Sequence, residues 1–138
     1  MKTTTRTALI VMLGAWTLTA SILDARQQTP TESFTAYRKA LATASSFKDV
    51  LPLMESKGRS LVEAFPPETQ TKMFEVLKKF AGTYSDVAVT KETVTGETAV
   101  LELSGKDPKG QAATGSVPMT KEASGWKVGT EKWSSKPR

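Results

Sequence analysis

Chemistry in this chain has to run on carboxylates, phenols, amines and hydroxyls, because its 138 residues contain no cysteine and no histidine. The missing thiol removes disulfides, thiol nucleophiles and cysteine-based metal or lipid sites. The missing imidazole removes the commonest general base and the commonest zinc ligand, and with them Ser-His-Asp and Cys-His catalysis. Only an oxygen-ligand metal site remains open, and the chain has no Asp-x-Asp-x-Asp-Gly loop. No metal and no cofactor are therefore expected.

Among the acids, Glu102 and Glu131 are best placed for general acid/base work, since each falls within a predicted strand. Alternation sets Glu102 opposite Leu101 and Leu103, on the solvent face. The plainer role for Glu97, Glu102 and Glu131 is pairing with strand lysines across a sheet. Tyr37, Tyr84, Trp126 and Trp133 have the aromatic surface to line a cavity for a small apolar ligand, although core packing is the commoner use of such side chains. Trp126 is expected in the core. Trp133, near the C-terminus and in the opposite strand phase, is expected to be the partly exposed aromatic, leaving Tyr37, Tyr84 and Trp133 as the ligand-facing set.

The elements that must position these residues divide the chain in two. From Thr29 to Gly82 the apolar period is helical. Thr29 can cap, Pro30 suits the first helical position, and Glu32 completes a capping box. Phe34, Tyr37, Leu41 and Ala44 then share one face of a helix that ends near Ser45-Ser46. Ser46 and Asp49 form a second box, but Pro52 interrupts the segment that follows, which predicts a short or kinked element closing near Gly58 and a further turn over 60–65. Pro66-Pro67-Glu68 opens the strongest helix, with Met73, Phe74, Leu77, Phe80 and Ala81 on one face. Lys78-Lys79 complements its dipole, and Gly82 is its expected C-terminal cap.

After Gly82 the period changes to two. Four strands from Tyr84 to Trp133 are separated by turns at Thr95-Gly96, at residues 105–110 and at Ser124-Gly125, the pattern of an antiparallel meander. Gly115 and Pro118 fall inside the third strand, where proline cannot donate to a ladder. A bulge or bend between them is expected, curling the sheet around the helices.

Before Thr29 the chain carries Lys2 and Arg6 ahead of an uncharged run from Thr7 to Leu23, the pattern of a signal peptide over residues 1–26. Cleavage is expected between residues 20 and 28. The run is short for a spanning helix, so a single uncleaved membrane anchor is the alternative. This implies a periplasmic or secreted protein with one α+β domain over 29–135. Of the net charge of +5, the first 26 residues hold three basic groups and one acid, and the remainder sets 16 basic against 13 acidic groups. The charges are interspersed, without the basic stripe that nucleic-acid binding requires.

Three motifs carry a resemblance. Ser46-Phe47-Lys48-Asp49-Val50-Leu51-Pro52, the Pro66-Pro67-Glu68 helix with Leu77-Lys78-Lys79, and Gly125-Trp126-Lys127-Val128 with Glu131-Lys132-Trp133 together make the chain similar to the nuclear transport factor 2-like superfamily. That group includes ketosteroid isomerase-like and SnoaL-like cones, and the chain looks most like its small exported bacterial members of uncharacterised function. The resemblance implies about three helices packed in a curved, cone-shaped, cystatin-like sheet. Its enzymes place an Asp or His inside the cone, often beside Tyr. This chain has no His, and no Asp falls at an inward strand position.

The expected function is a non-catalytic binding or protein-interaction module whose partner is a protein or small apolar ligand. The alternatives are a small isomerase or hydratase using an interior carboxylate and Tyr, and a structural homodimer. A cone packed solid with Phe, Leu and Met would sink the enzyme, whereas a pocket of a few hundred Å³ with a buried acid would revive it.

Overall fold

The computed structural model describes residues 27–135. The expected signal peptide over 1–26 lies outside them. Helix α1 spans Pro30–Thr43, two 3₁₀ turns cover Phe47–Asp49 and Leu51–Leu53, and α2 (Ser56–Glu63) and α3 (Pro67–Thr83) follow. Strands β1 (Ser85–Thr95), β2 (Thr98–Lys106), β3 (Ala112–Glu122), β4 (Gly125–Val128) and β5 (Lys132–Ser134) form one antiparallel sheet in the order β1-β2-β3-β4, with β5 also beside β3. The expected α+β order of three helices and a curved sheet holds. The fourth strand, however, is two short strands with a break at residues 129–131.

The helix starts were written locally and completed by the sheet. The Thr29–Glu32 box forms in both directions, with Glu32 N–H donating to Thr29 Oγ1 at 3.1 Å and Thr29 N–H to Glu32 Oε2 at 2.9 Å. Thr31 N–H then donates to Glu92 of β1 at 2.9 Å. Asp49 accepts from the backbone N–H groups of Ser45 and Ser46. Helix α2 runs unbroken through Gly58, where the sequence suggested an end, because Pro52 is absorbed in the 3₁₀ turns ahead of it. The start of α2 is capped from outside: Ser56 N–H donates to Glu122 of β3 at 2.7 Å. Helix α3 continues past Gly82 and is capped at Tyr84. Lys78 serves a different helix end, donating to Ala44 O at the close of α1 at 2.8 Å.

The concave sheet face buries Ala99, Leu101, Leu103, Val117, Met119, Trp126 and Val128 against Phe34, Tyr37 and Leu41 of α1 and Phe47 and Val50 of the first 3₁₀ turn. Each Val, Leu, Met or Phe among them contributes about 1.5–3 kcal/mol on leaving water. Trp126 is in the core, as expected.

The expected bulge in β3 is absent. Register between β2 and β3 is continuous from Thr98↔Thr120 to Lys106↔Ala112, and the two irregularities lie in the edge strand β1, at Ser85/Ala88 and Val89/Lys91. Pro118 is tolerated for another reason. Its carbonyl accepts from Gly129 N–H at 2.9 Å, so its nitrogen also faces the β4–β5 side. There the partner chain has left the ladder, between Val128↔Met119 and Lys132↔Ser116, and no acceptor waits for the missing N–H. Gly129 is required at the crossing, since a Cβ there would lie 2.8 Å from Pro118 O.

The break also resets strand phase. Trp133 pairs directly with Gly115 and shares the concave face with Trp126, where unbroken alternation would have turned it outward. It occupies ground cleared by two glycines: a Cβ at Gly115 would lie 2.7 Å from Trp133 Cδ2, and one at Gly105 3.1 Å from Cη2.

Truncating Trp126 to Ala should cost about 3–5 kcal/mol in a denaturant melt, as removal of a core aromatic does. Gly115→Ala should cost about 1–3 kcal/mol by driving a methyl into the Trp133 ring. Gly82→Ala, with nothing within 4 Å of the added Cβ, should stabilise by about 0.5–1 kcal/mol through helix propensity.

Candidate functional site

The concave sheet face is filled, but an open cavity of about 650 Å³ lies outside it, between α1, α2, α3 and the 129–131 break. Its walls are Leu41, Phe47, Met54, Val62, Met73 and Leu77, and Leu61, Val76 and Phe80 line it while remaining exposed to solvent. Helix α3 makes the opening because it docks thinly, burying only Phe74 completely. Polar groups are few: Tyr37, Thr69, Lys72, Thr130 and Glu131.

Of the sequence candidates, Glu131 and Tyr37 reach this cavity. Glu131 is the buried acid, its side chain 7% exposed. The strand break, not strand alternation, turns it inward. Its partner is not a strand lysine: Arg38 Nη1 of α1 lies 3.4 Å from both carboxylate oxygens. Trp133 Nε1–H donates to Oε2 at 2.9 Å, and Arg38 Nη2 donates to Ala81 O near the end of α3 at 3.1 Å. Both oxygens of Glu131 are thus engaged. Tyr37 is 4% exposed. Burial pushes its phenol up to about 12, the negative charge of Glu131 adds to this, and Arg38 opposes it. Tyr37 is therefore a neutral hydrogen-bond donor at physiological pH.

The remaining candidates lie elsewhere. Glu102 is exposed on the convex face, 4.0 Å from Lys91 of β1, as cross-strand pairing predicts. Tyr84 and Trp133 do not line the cavity; their rings stack on each other at 4.4 Å with 12° between planes. Among the described residues no cluster of acids could hold a metal ion. Sequence reasoning missed Arg38, which neighbours Tyr37 on α1, and Lys72. The helical spacing of Lys72 one turn before Val76 was the signal available for the latter.

No family model matches the sequence, and no curated protein does. Among solved structures, the chain is similar to an NTF2-like protein of unknown function from Shewanella baltica, at 15% identity and a TM-score of 0.48 over 79% of this chain and 92% of that one. It is similar to a Campylobacter jejuni protein provisionally described as an NTF2-like transpeptidase, at 14% identity and 0.47 over 73% and 97%. A third, provisionally described as a dehydratase of the NTF2-like family from Streptomyces avermitilis, shares 12% identity at 0.45 over 73% and 89%.

The buried phenol makes stability depend on alkaline pH. Below pH 10 both native and unfolded chains hold the proton, and the contribution of Tyr37 is fully present. Between pH 10 and 12 the unfolded chain ionises first, so stability falls, by about 2–3 kcal/mol in total. Denaturant midpoints measured from pH 9 to 12 should show this decline, and Tyr37→Phe should remove that part of it.

Proposed function

We propose that this protein is an exported, non-catalytic module of the cell envelope that holds a small, largely apolar molecule in the cavity between its helices. The observation that carries the reading is the cavity itself: about 650 Å³ of Leu, Phe, Met and Val wall with few polar groups. Its size falls in the ordinary range for small-molecule sites, and apolar walls with sparse polar groups are their usual lining. Export rests on the basic-then-apolar N-terminal sequence.

One observation favours the rival, a small isomerase or hydratase: an interior carboxylate, Glu131, and a neutral phenol, Tyr37, share the cavity wall. Proton transfer needs a carboxylate oxygen within reach of the substrate proton. In Glu131 one oxygen faces Arg38 and the other faces Arg38 while accepting the Trp133 indole N–H. Those contacts suit a structural acid, so binding without turnover is the better-supported reading.

Titration of the chain lacking residues 1–26 with an environment-sensitive apolar dye should give one saturable site. Met73→Trp, which fills the cavity from α3, should weaken that site at least tenfold while melting like the parent. Unchanged dye affinity in Met73→Trp would remove the cavity from consideration. In the same samples the Trp133 indole N–H resonance should hold its position on dye binding. Its release would move the reading toward proton transfer by a freed Glu131.

A further inference from the structure

The cavity carries charge at two places, and the two differ in sign and exposure. Glu131, 7% exposed, stands against the inner wall beside Tyr37. Lys72, 72% exposed, stands at the solvent side, one helical turn from the exposed Val76. The Glu131 carboxylate is already held by Arg38 and Trp133 and offers an anionic head no attraction, whereas an ammonium at the opening attracts one. The other polar groups in the lining are the hydroxyls of Tyr37, Thr69 and Thr130.

We propose, building on the cavity-binding reading above, that the ligand is an anionic amphiphile: one acyl chain buried among Leu41, Phe47, Met73 and Leu77, with its acidic head at the opening on Lys72. The exposed Leu61 and Val76 cover the part of the chain nearest the head. Lys72 already has a partner, Glu68 at 2.9 Å, but that pair is exposed at both ends, with Glu68 at 82%. Such exposed i,i+4 surface pairs are weak, so a tethered anionic head can displace Glu68 from Lys72. Glu68 thereby acts as a weak internal competitor for the headgroup.

The test compares ligands of one chain length below their micelle concentrations: dodecanoate, dodecanol, dodecyltrimethylammonium and a lauroyl lysophosphatidate, each displacing the dye from the chain lacking residues 1–26. At low salt the carboxylate should bind about three- to fivefold tighter than the alcohol, the gain expected of one exposed charge contact. The ammonium should bind weakest. The preference should shrink at high salt. Lys72→Met should equalise carboxylate and alcohol without weakening the alcohol, and Glu68→Gln should widen the difference. The tighter of carboxylate and lysophosphatidate identifies a free fatty acid or a single-chain phospholipid as the source. Equal affinity of carboxylate and alcohol in the parent would overturn the headgroup assignment and leave the cavity reading standing. So would a preference that survives Lys72→Met. Failure of all four to displace the dye would defeat both.

Discussion

An indole seated on bare backbone holds the open end of this fold together. Trp133 fits over β2 and β3 only because Gly105 and Gly115 present no Cβ beneath it. Glycine weakens a strand by entropy and by the packing it forgoes, and here the aromatic ring replaces that packing. Once seated, the ring stacks on Tyr84 and aims its N–H at Glu131. Glu131 faces Arg38, and Arg38 reaches Ala81 O. One chain of contacts thus ties the last strand to the first helix and to the end of the third.

That chain of contacts depends in turn on a proline. Pro118 lacks the N–H that a continuous fourth strand would need, and the strand parts from the ladder opposite it. The three residues of the break, Gly129, Thr130 and Glu131, then become cavity wall. An uninterrupted strand would have kept Glu131 in regular alternation and sent Trp133 to the other face. The local cost at Pro118 is what gives the cavity its acid and the acid its indole.

How much of this could be read beforehand follows from how local each cause is. The Thr29–Glu32 box, the Asp49 contacts to Ser45 and Ser46 and the core position of Trp126 are settled within a few residues, and the sequence displayed them plainly. The Gly115–Pro118 conflict was visible too, but its resolution lay in the neighbouring strand, so a bulge was expected in β3 where a break formed opposite it. Glu92 and Glu122 cap α1 and α2 across more than 60 residues, and no local spacing announces that. Glu131 was picked out as a strand carboxylate, yet its inward aim came from the phase reset. Its partner came from a helix 93 residues away. Tyr84 and Trp133 were chosen as ligand-facing aromatics, and they are occupied with each other.

Three acids fasten the helices to the sheet side of the fold. Glu92 closes the start of α1, Glu122 closes the start of α2 and also pairs with Arg59 at 3.2 Å, and Glu131 joins α1 to β5. Burial raises the Glu122 carboxyl, but hydrogen bonds from Ser56 and the Arg59 charge outweigh it and bring it below the usual value. Three sheet carboxylates are thus committed to fastening helices. Helix α3 receives no such cap from the sheet, starts on prolines alone and buries one residue completely. It is held instead by α1, through Arg38 to Ala81 O and Lys78 to Ala44 O, and its apolar face looks onto the cavity. On the binding reading proposed above, a ligand filling that space would add contacts to α3 and stabilise the native chain logarithmically with its concentration. The incompletely docked helix and the apolar cavity are the same feature, seen once from stability and once from binding.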